Sequence, residues 1–254
     1  MIQIFTSVVN RPDFVSIQDD LFKKFLTDEY QFHVVDDSID ENISSEFKEI
    51  CDQRNIHYYK TPKNLEHNNP STKVGNVIQW TFDEIIKKEY SSDIIFWTDS
   101  DMFLIDEFSI IDHMKDCAIS GLPQIRGNVK YMWNGIMFFD MQKICEIDPN
   151  LNFSDGQVEG ELTDTNGHLH YYFKRNNITF KETDVDYPET YDDINLEEVC
   201  GGINFELHLN SKFLHYRAAT NWHSNWRGSE DPLISKTKIF NLIIESILDN
   251  NGQK

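Results

Sequence analysis

Asp99 and Asp101 flank Ser100 at the end of the apolar run Asp93-Ile-Ile-Phe-Trp-Thr98. Two carboxylates at this spacing after a strand let one reach a hard cation directly while the other orients a water or a hydroxyl, and oxygen donors of this kind suit magnesium or manganese. In an acidic chain an Asp-x-Asp also arises by chance on a solvated turn. The residues before this pair argue otherwise. Ile94, Ile95, Phe96 and Trp97 show no polar alternation, so they read as a strand covered on both faces. An open parallel sheet binds ligands beyond the carboxyl ends of such strands. Polar residues close the other strand-like runs in the same way: Thr6 and Ser7, then Asp36 and Asp37, then Thr61. All are expected to face one crevice.

The elements that must present these residues alternate. Runs at 2–9, 31–35, 56–59 and 93–97 are β-branched or aromatic, and between them lie segments of helical period at 13–27, about 44–54 and 71–90. In the last of these, Val74, Val77, Ile78, Thr81, Ile85 and Ile86 recur mostly at spacings of three and four. This pattern predicts βαβ units, a mostly parallel sheet and an α/β fold. Beyond residue 101 the alternation loosens. A short helix is expected near 109–115, strands near 118 and over 135–139, and a helix over 168–175. An exposed acidic loop follows over 182–199, and Pro232 opens a final amphipathic helix to about residue 250.

The chain has 254 residues, enough for one domain with a sizeable core, and a formal net charge of -20. That charge excludes nucleic acid and anionic membrane surfaces as partners, because both require a basic patch to displace counterions from phosphate. It also means that a diphosphate ligand needs locally concentrated positive charge, which a bound divalent cation would supply. Cys51, Cys117, Cys145 and Cys200 are widely spaced without a C-x-x-C pair, which argues against disulfides and zinc. No cationic, apolar leader precedes the first strand and no apolar run reaches the length of a membrane span. A cytoplasmic chain with no transmembrane segment is therefore expected.

Val34-Val-Asp-Asp-Ser38, then Lys73-Val-Gly-Asn76 opening a helix, then Phe96-Trp-Thr-Asp-Ser-Asp101 resemble the GT-A glycosyltransferases, with the family 2 branch the nearest likeness. The opening Ile4-Phe-Thr-Ser-Val-Val-Asn-Arg-Pro12 is similar to that branch's first strand and following loop. The likeness covers roughly the first 140 residues in order and spacing. Beyond them, Trp133-Asn-Gly-Ile-Met-Phe-Phe-Asp140 resembles the acceptor-side strand and Phe213-Leu-His215 the late metal-binding histidine. The resemblance implies a GT-A type fold, a Rossmann-like, mostly parallel sheet flanked by helices with a mixed C-terminal half. It implies one domain over 1–254, with a nucleotide-sugar-binding half at 1–101, an acceptor and metal half at 102–230, and a C-terminal helix and tail at 231–254. It implies a metal-dependent glycosyltransferase, using Mn2+ or Mg2+, a nucleotide-diphosphate sugar such as a UDP-sugar, and a glycan, lipid or protein acceptor, with inversion at the anomeric carbon. Carried over by position, Thr6 and one of Asp36 or Asp37 hold base and ribose, and Lys73 lies near the base or diphosphate. Asp99 then touches ribose or donor sugar, and Asp101 and His215 hold the cation.

The sequence departs from that pattern in three places. Val8 stands where an aromatic is common, Lys73 replaces an arginine, and no Glu-Asp base motif follows the acceptor-side strand. An inverting transfer needs a carboxylate to take the acceptor hydroxyl's proton, and the candidates are Asp155, Glu159, Glu161 and Asp164. Asp164 is preferred. The segment Asp164-Thr-Asn-Gly-His168 immediately precedes a helix bearing Tyr171 and Tyr172, where its carboxylate would be held at a helix N-terminus, as a base or as an ordinary cap. Trp133, Trp222 and Trp226 are candidate sugar-stacking residues or buried anchors, with 220–227 a loop over the donor. Arg217 and Arg227 are candidates to neutralise phosphate or plain surface residues. Two other classes remain: a catalytically silent sugar-nucleotide or carbohydrate-binding module, and a phosphohydrolase of the haloacid dehalogenase type. The latter would look like Asp-x-Asp-x-Thr/Val in the first strand, whereas here Phe103 fills the fifth position and three strands come before the motif.

Overall fold

The computed structural model describes residues 1–65, 67–188, 190–191, 194–195, 205–217 and 231–249. Strand β1 (Ile2–Val8) leads into helix α1 (Pro12–Phe25), with Pro12 in its first turn and Phe14, Val15, Leu21 and Phe22 buried along one stripe. After β2 (Tyr30–Asp36), α2 (Glu41–Arg54) begins where the Asp40 carboxylate accepts a hydrogen bond from the Asn42 amide, 2.9 Å away. It stops at Asn55, whose left-handed backbone turns the chain into β3 (His57–Lys60). Helix α3 (Pro70–Thr81) has Asn69 as its cap and continues through a π turn, Phe82–Ile86, to a last turn at Lys87–Glu89. The single helix expected over 71–90 is thus interrupted. The wider turn still buries Phe82, Ile85 and Ile86.

Strand β4 (Ile94–Asp99) is followed after a two-residue turn by β5 (Met102–Leu104). Then come α4 (Ile110–Met114), β6 (Ile119–Arg126), β7 (Val129–Asp140) and α5 (Met141–Ile147). A small hairpin, β8 (Gly156–Val158) with β9 (Glu161–Thr163), precedes α6 (Leu169–Asn176). The stretch read as an acidic loop carries short strands, β10 (Lys181–Glu182), β11 (Val185–Asp186), β12 (Thr190–Tyr191) and β13 (Ile194–Asn195). Two more, β14 (Phe205–His208) and β15 (Phe213–Tyr216), come before α7 (Asp231–Asp249). Helix α5 and the β8–β9 hairpin are additions to the expected elements. Both are too short to produce a period in the sequence.

The main sheet has seven strands in the order β10-β6-β7-β4-β1-β2-β3. Neighbours from β3 to β4 are parallel, β7 runs antiparallel to both β4 and β6, and β10 is parallel to β6. The mostly parallel α/β expectation is met. A second sheet, β11-β14-β15-β5, is antiparallel throughout. The Asp99-to-Asp101 segment is therefore the junction between the two sheets.

Three apolar clusters hold these layers. Phe5, Val35, Val77, Ile78 and Trp97 pack on the α3 side of the main sheet, and Ile4, Val8, Val34, Phe47 and Phe96 on the other, under α1 and α2. The third joins α1, the second sheet and α7 through Phe14, Phe103, Leu214, Tyr216, Phe240, Ile243 and Ile247. The second sheet is thus fixed by the C-terminal helix. Among the described residues no helix is long and apolar enough to cross a membrane, and Cys51, Cys117 and Cys145 are free thiols.

Candidate functional site

The junction is clamped by backbone contacts. Buried Gln18 of α1 donates from its amide to the carbonyls of Asp99 (3.0 Å) and Met102 (2.9 Å), bracketing the turn. The Tyr216 amide donates to the Asp101 carbonyl at 2.8 Å, tying the same turn to the end of β15. Strand pairing then sets the side chains: His215 lies opposite Met102 on one side and Glu206 on the other.

Five ionisable groups converge there. His215 Nε2 is 3.5 Å from Asp101 Oδ1, and its other ring nitrogen, Nδ1, donates to Glu206 Oε2 at 2.7 Å. His208 Nε2 lies 3.4 Å from the same Glu206 oxygen, and Arg217 Nε 3.4 Å from Oε1. All but Arg217 are buried. Trp133 of β7 backs the group, stacked on His208 at 5.5 Å and 5.1 Å from His215 between ring centroids. Its indole lies across Gly135, where an added Cβ would come within 2.1 Å of the ring. Beside it, Asn134 places its amide 3.5 Å from Asp99 Oδ1.

The charges are strongly mismatched. Burial, with the Asp101 carboxylate second, pushes Asp99 up to about 7, although part of its surface remains open. Burial disfavours a charged His215, yet the carboxylates of Asp101 and Glu206 outweigh it and raise the imidazole to about 9. Burial likewise opposes ionisation of Glu206, but the close approach of His208 and the hydrogen bond from His215 hold it well below the usual carboxylate range. For His208 burial wins and the imidazole is lowered. Two neighbouring carboxylates of which one resists ionisation, with an imidazole facing the other, form a set of hard oxygen and borderline nitrogen donors that fits manganese or magnesium. The 3.5 Å between Asp101 Oδ1 and His215 Nε2 is long for a hydrogen bond and suits two donors sharing one cation at about 2.1 Å each.

The residues after the first three strands do not form one set. Side chains alternate across the sheet, and in-register neighbours share a face. Thr6 pairs with Val34 and Thr98 and follows the Ile4–Val8 face, under α1 and α2, where its buried hydroxyl oxygen has no hydrogen-bond partner. Asp36 lies opposite Val8 on that face and is fully buried. Its carboxylate accepts from the Ser38 amide (2.8 Å), Tyr58 hydroxyl (2.7 Å) and Lys60 ammonium (3.1 Å), and these bonds keep it ionised against burial. Ser7 and Asp99 are paired on the opposite, α3 face. There Asp37 meets Lys73 of α3 at 3.0 Å and accepts from the Thr61 hydroxyl at 3.0 Å.

Asp164 stands apart from the cluster. It is exposed, its carboxylate pairs with Arg126 at 3.0 Å, and its amide faces the Tyr131 hydroxyl at 3.3 Å. Helix α6 starts five residues later with His168 at its cap position, because a turn closed by Gly167 on the Asp164 carbonyl intervenes. Asp164 is thus neither cap nor helix-terminal residue. Of the other candidate carboxylates, Glu159 pairs with Lys174 and His170, and Asp155 accepts from Thr72 at the start of α3. Arg217 is taken up by Glu206. Trp222, Trp226, Arg227 and the 220–227 loop lie outside the described residues.

Glu206 and His208 are not anticipated by the motifs. A signal exists: Phe205-Glu-Leu-His208 and Phe213-Leu-His-Tyr216 are short alternating runs separated by four residues, as in a hairpin. Pairing them places Glu206 opposite His215.

No protein-family model and no curated protein matches the sequence. In structure the chain is similar to solved glycosyltransferases. Galactosyltransferase LgtC, in complex with donor and acceptor sugar analogues, aligns over 99% of this chain and 98% of that one, at 11% identity and a TM-score of 0.48. Mannosyltransferase PcManGT from Pyrobaculum calidifontis, in complex with GDP-Man and Mn2+, aligns over 58% of this chain and 46% of its own, at 9% identity and a TM-score of 0.41. Mouse xyloside xylosyltransferase 1 in its apo form aligns over 57% and 69%, at 7% identity and a TM-score of 0.38.

Proposed function

We propose that this chain is a metal-dependent glycosyltransferase that moves a sugar from a nucleotide-diphosphate donor, a UDP-sugar, to a hydroxyl of a glycan, lipid or protein acceptor. The observation that carries this reading is the Asp101–His215 pair at the sheet junction, with Asp99 beside it at the carboxyl edge of β4. Asp101 and His215 would hold Mn2+ or Mg2+, which when bound supplies a Lewis acid for the departing nucleoside diphosphate. In a chain of net charge -20 that cation also lets an anionic donor approach.

The remaining assignments follow from the faces of the sheet. Asp37 and Lys73 lie on the same side as Asp99 and are assigned to nucleoside and diphosphate contacts. Asp36, committed to Ser38, Tyr58 and Lys60, is assigned to holding the β2–β3 edge, and Thr6 to the core beneath it. Asp99 contacts donor sugar or ribose, and Asn134 restrains it. Transfer is direct displacement with inversion, the acceptor proton passing to Asp164, whose exposed carboxylate would exchange its pairing with Arg126 for the acceptor hydroxyl.

Incubation with a panel of sugar nucleotides and Mn2+, following release of nucleoside diphosphate, tests this reading. Slow metal-dependent hydrolysis of one donor is expected. Tight binding of a sugar nucleotide with no release under any acceptor would make the chain a binding module instead.

A further inference from the structure

We propose that Glu206 is a positioning residue that acts through His215, turning Nε2 of that imidazole toward Asp101. The inference rests on reading Asp101 and His215 as the cation's protein ligands. The two ring nitrogens of His215 have different neighbours at different distances. Nδ1 to Glu206 is 2.7 Å, a hydrogen bond, and Nε2 to Asp101 is 3.5 Å, too long for one. With Nδ1–H held by a carboxylate, the lone pair of a neutral imidazole sits on Nε2 and the ring plane is fixed.

Glu206 is itself built in. It is buried on β14 directly opposite His215, with His208 and Arg217 each 3.4 Å from its carboxylate oxygens. A buried carboxylate without such partners would cost stability, so the neighbours keep it an anion aimed at Nδ1. Trp133 closes the other side of both rings.

Glu206, His208 and His215 also bring three ligand atoms within 4.8 Å of one another, which raises a second arrangement, a cation held by these three alone. The 2.7 Å contact argues against it. That separation is a hydrogen bond already made, and an ion there would have to displace it.

Titration of the full-length chain with Mn2+, reading free ion by electron paramagnetic resonance and bound ion by nitrogen-14 spin-echo modulation, tests the proposal. Wild type is expected to bind with nitrogen modulation, and His215→Gln to lose the modulation. Glu206→Ala should bind about 10- to 100-fold more weakly, the range for removing the partner of a ligating histidine. Glu206→Gln, which keeps an acceptor for Nδ1–H, should recover most of that loss. If Glu206→Ala does not fold, Glu206→Asp carries the test: its carboxylate stops one methylene short of Nδ1 and should weaken binding about tenfold. Wild-type Mn2+ affinity in Glu206→Ala or Glu206→Asp, or a loss that Glu206→Gln does not recover, overturns the role of Glu206 while leaving His215 a ligand. Nitrogen modulation that survives His215→Gln and vanishes in His208→Gln assigns the ion to the other histidine and overturns the proposal. Absence of Mn2+ binding in wild type overturns the metal reading itself and Glu206's role with it.

Discussion

His215 couples the stability of the metal-free protein to pH in a direction opposite to that of most buried histidines. Its imidazole is raised from an ordinary 6.5 to about 9 by Asp101 and Glu206 acting against burial. A group whose folded value is raised contributes stability that is fully present below its unfolded value and is lost as pH rises through the folded one. The separation corresponds to about 3 kcal/mol. In the presence of a chelator, urea unfolding of the wild type should therefore lose about 3 kcal/mol relative to His215→Gln between pH 6 and pH 10, most of it between pH 6.5 and 9. Taking the difference against the variant cancels other groups that titrate in this range. Saturating Mn2+ should remove the fall, because a bound cation replaces the Nε2 proton between His215 and Asp101. A wild-type-minus-variant difference that stays flat across the window would refute the electrostatic account of the cluster.

Three substitutions test the division of the strand-end residues and the base. Asp36→Ala removes the buried acceptor of the Tyr58 hydroxyl and the carboxylate paired with Lys60, which keeps Ser38 and Ser44, and should cost about 3 kcal/mol in urea unfolding, with the donor Michaelis constant of the folded fraction unchanged. Asp37→Ala, which removes the carboxylate facing Lys73, should instead raise the donor Michaelis constant about tenfold with turnover nearly intact, a loss of about 1.4 kcal/mol. Equal effects of the two on donor affinity would abolish the distinction between the faces. Asp164→Asn should lower turnover about 100-fold while leaving metal and donor binding unchanged, and wild-type turnover would remove Asp164 as the base.

The first four strands and the helices between them were legible because each is long enough to show a period, and their polar carboxyl ends mark the binding edge. The sharing of that edge between two faces follows from pleating. Pattern reading alone treats Thr6, Asp36, Asp37 and Asp99 as one set, and only the register shows that Thr6 and Asp36 turn away. The helix over 71–90 kept its apolar stripe through the π turn, so the sequence period hid the interruption. The second sheet was less legible because its strands are two to four residues long and their pairing is set by packing against α1 and α7. Glu206 and His208 lie there, and their part in the site depends on a cross-strand contact that no local motif records. His215, inferred from a resemblance of three residues, is placed by that sheet against Asp101.

The central claim, that Asp101 and His215 share a cation in a nucleotide-sugar site, is tested most directly by anomalous diffraction from a crystal grown with Mn2+ and uridine diphosphate. The account predicts one Mn2+ peak between Asp101 Oδ1 and His215 Nε2, with the diphosphate on the same ion and the nucleoside toward Asp37 and Lys73. A peak held by Glu206, His208 and His215 without Asp101, or a nucleotide bound with no metal at this junction, would contradict it.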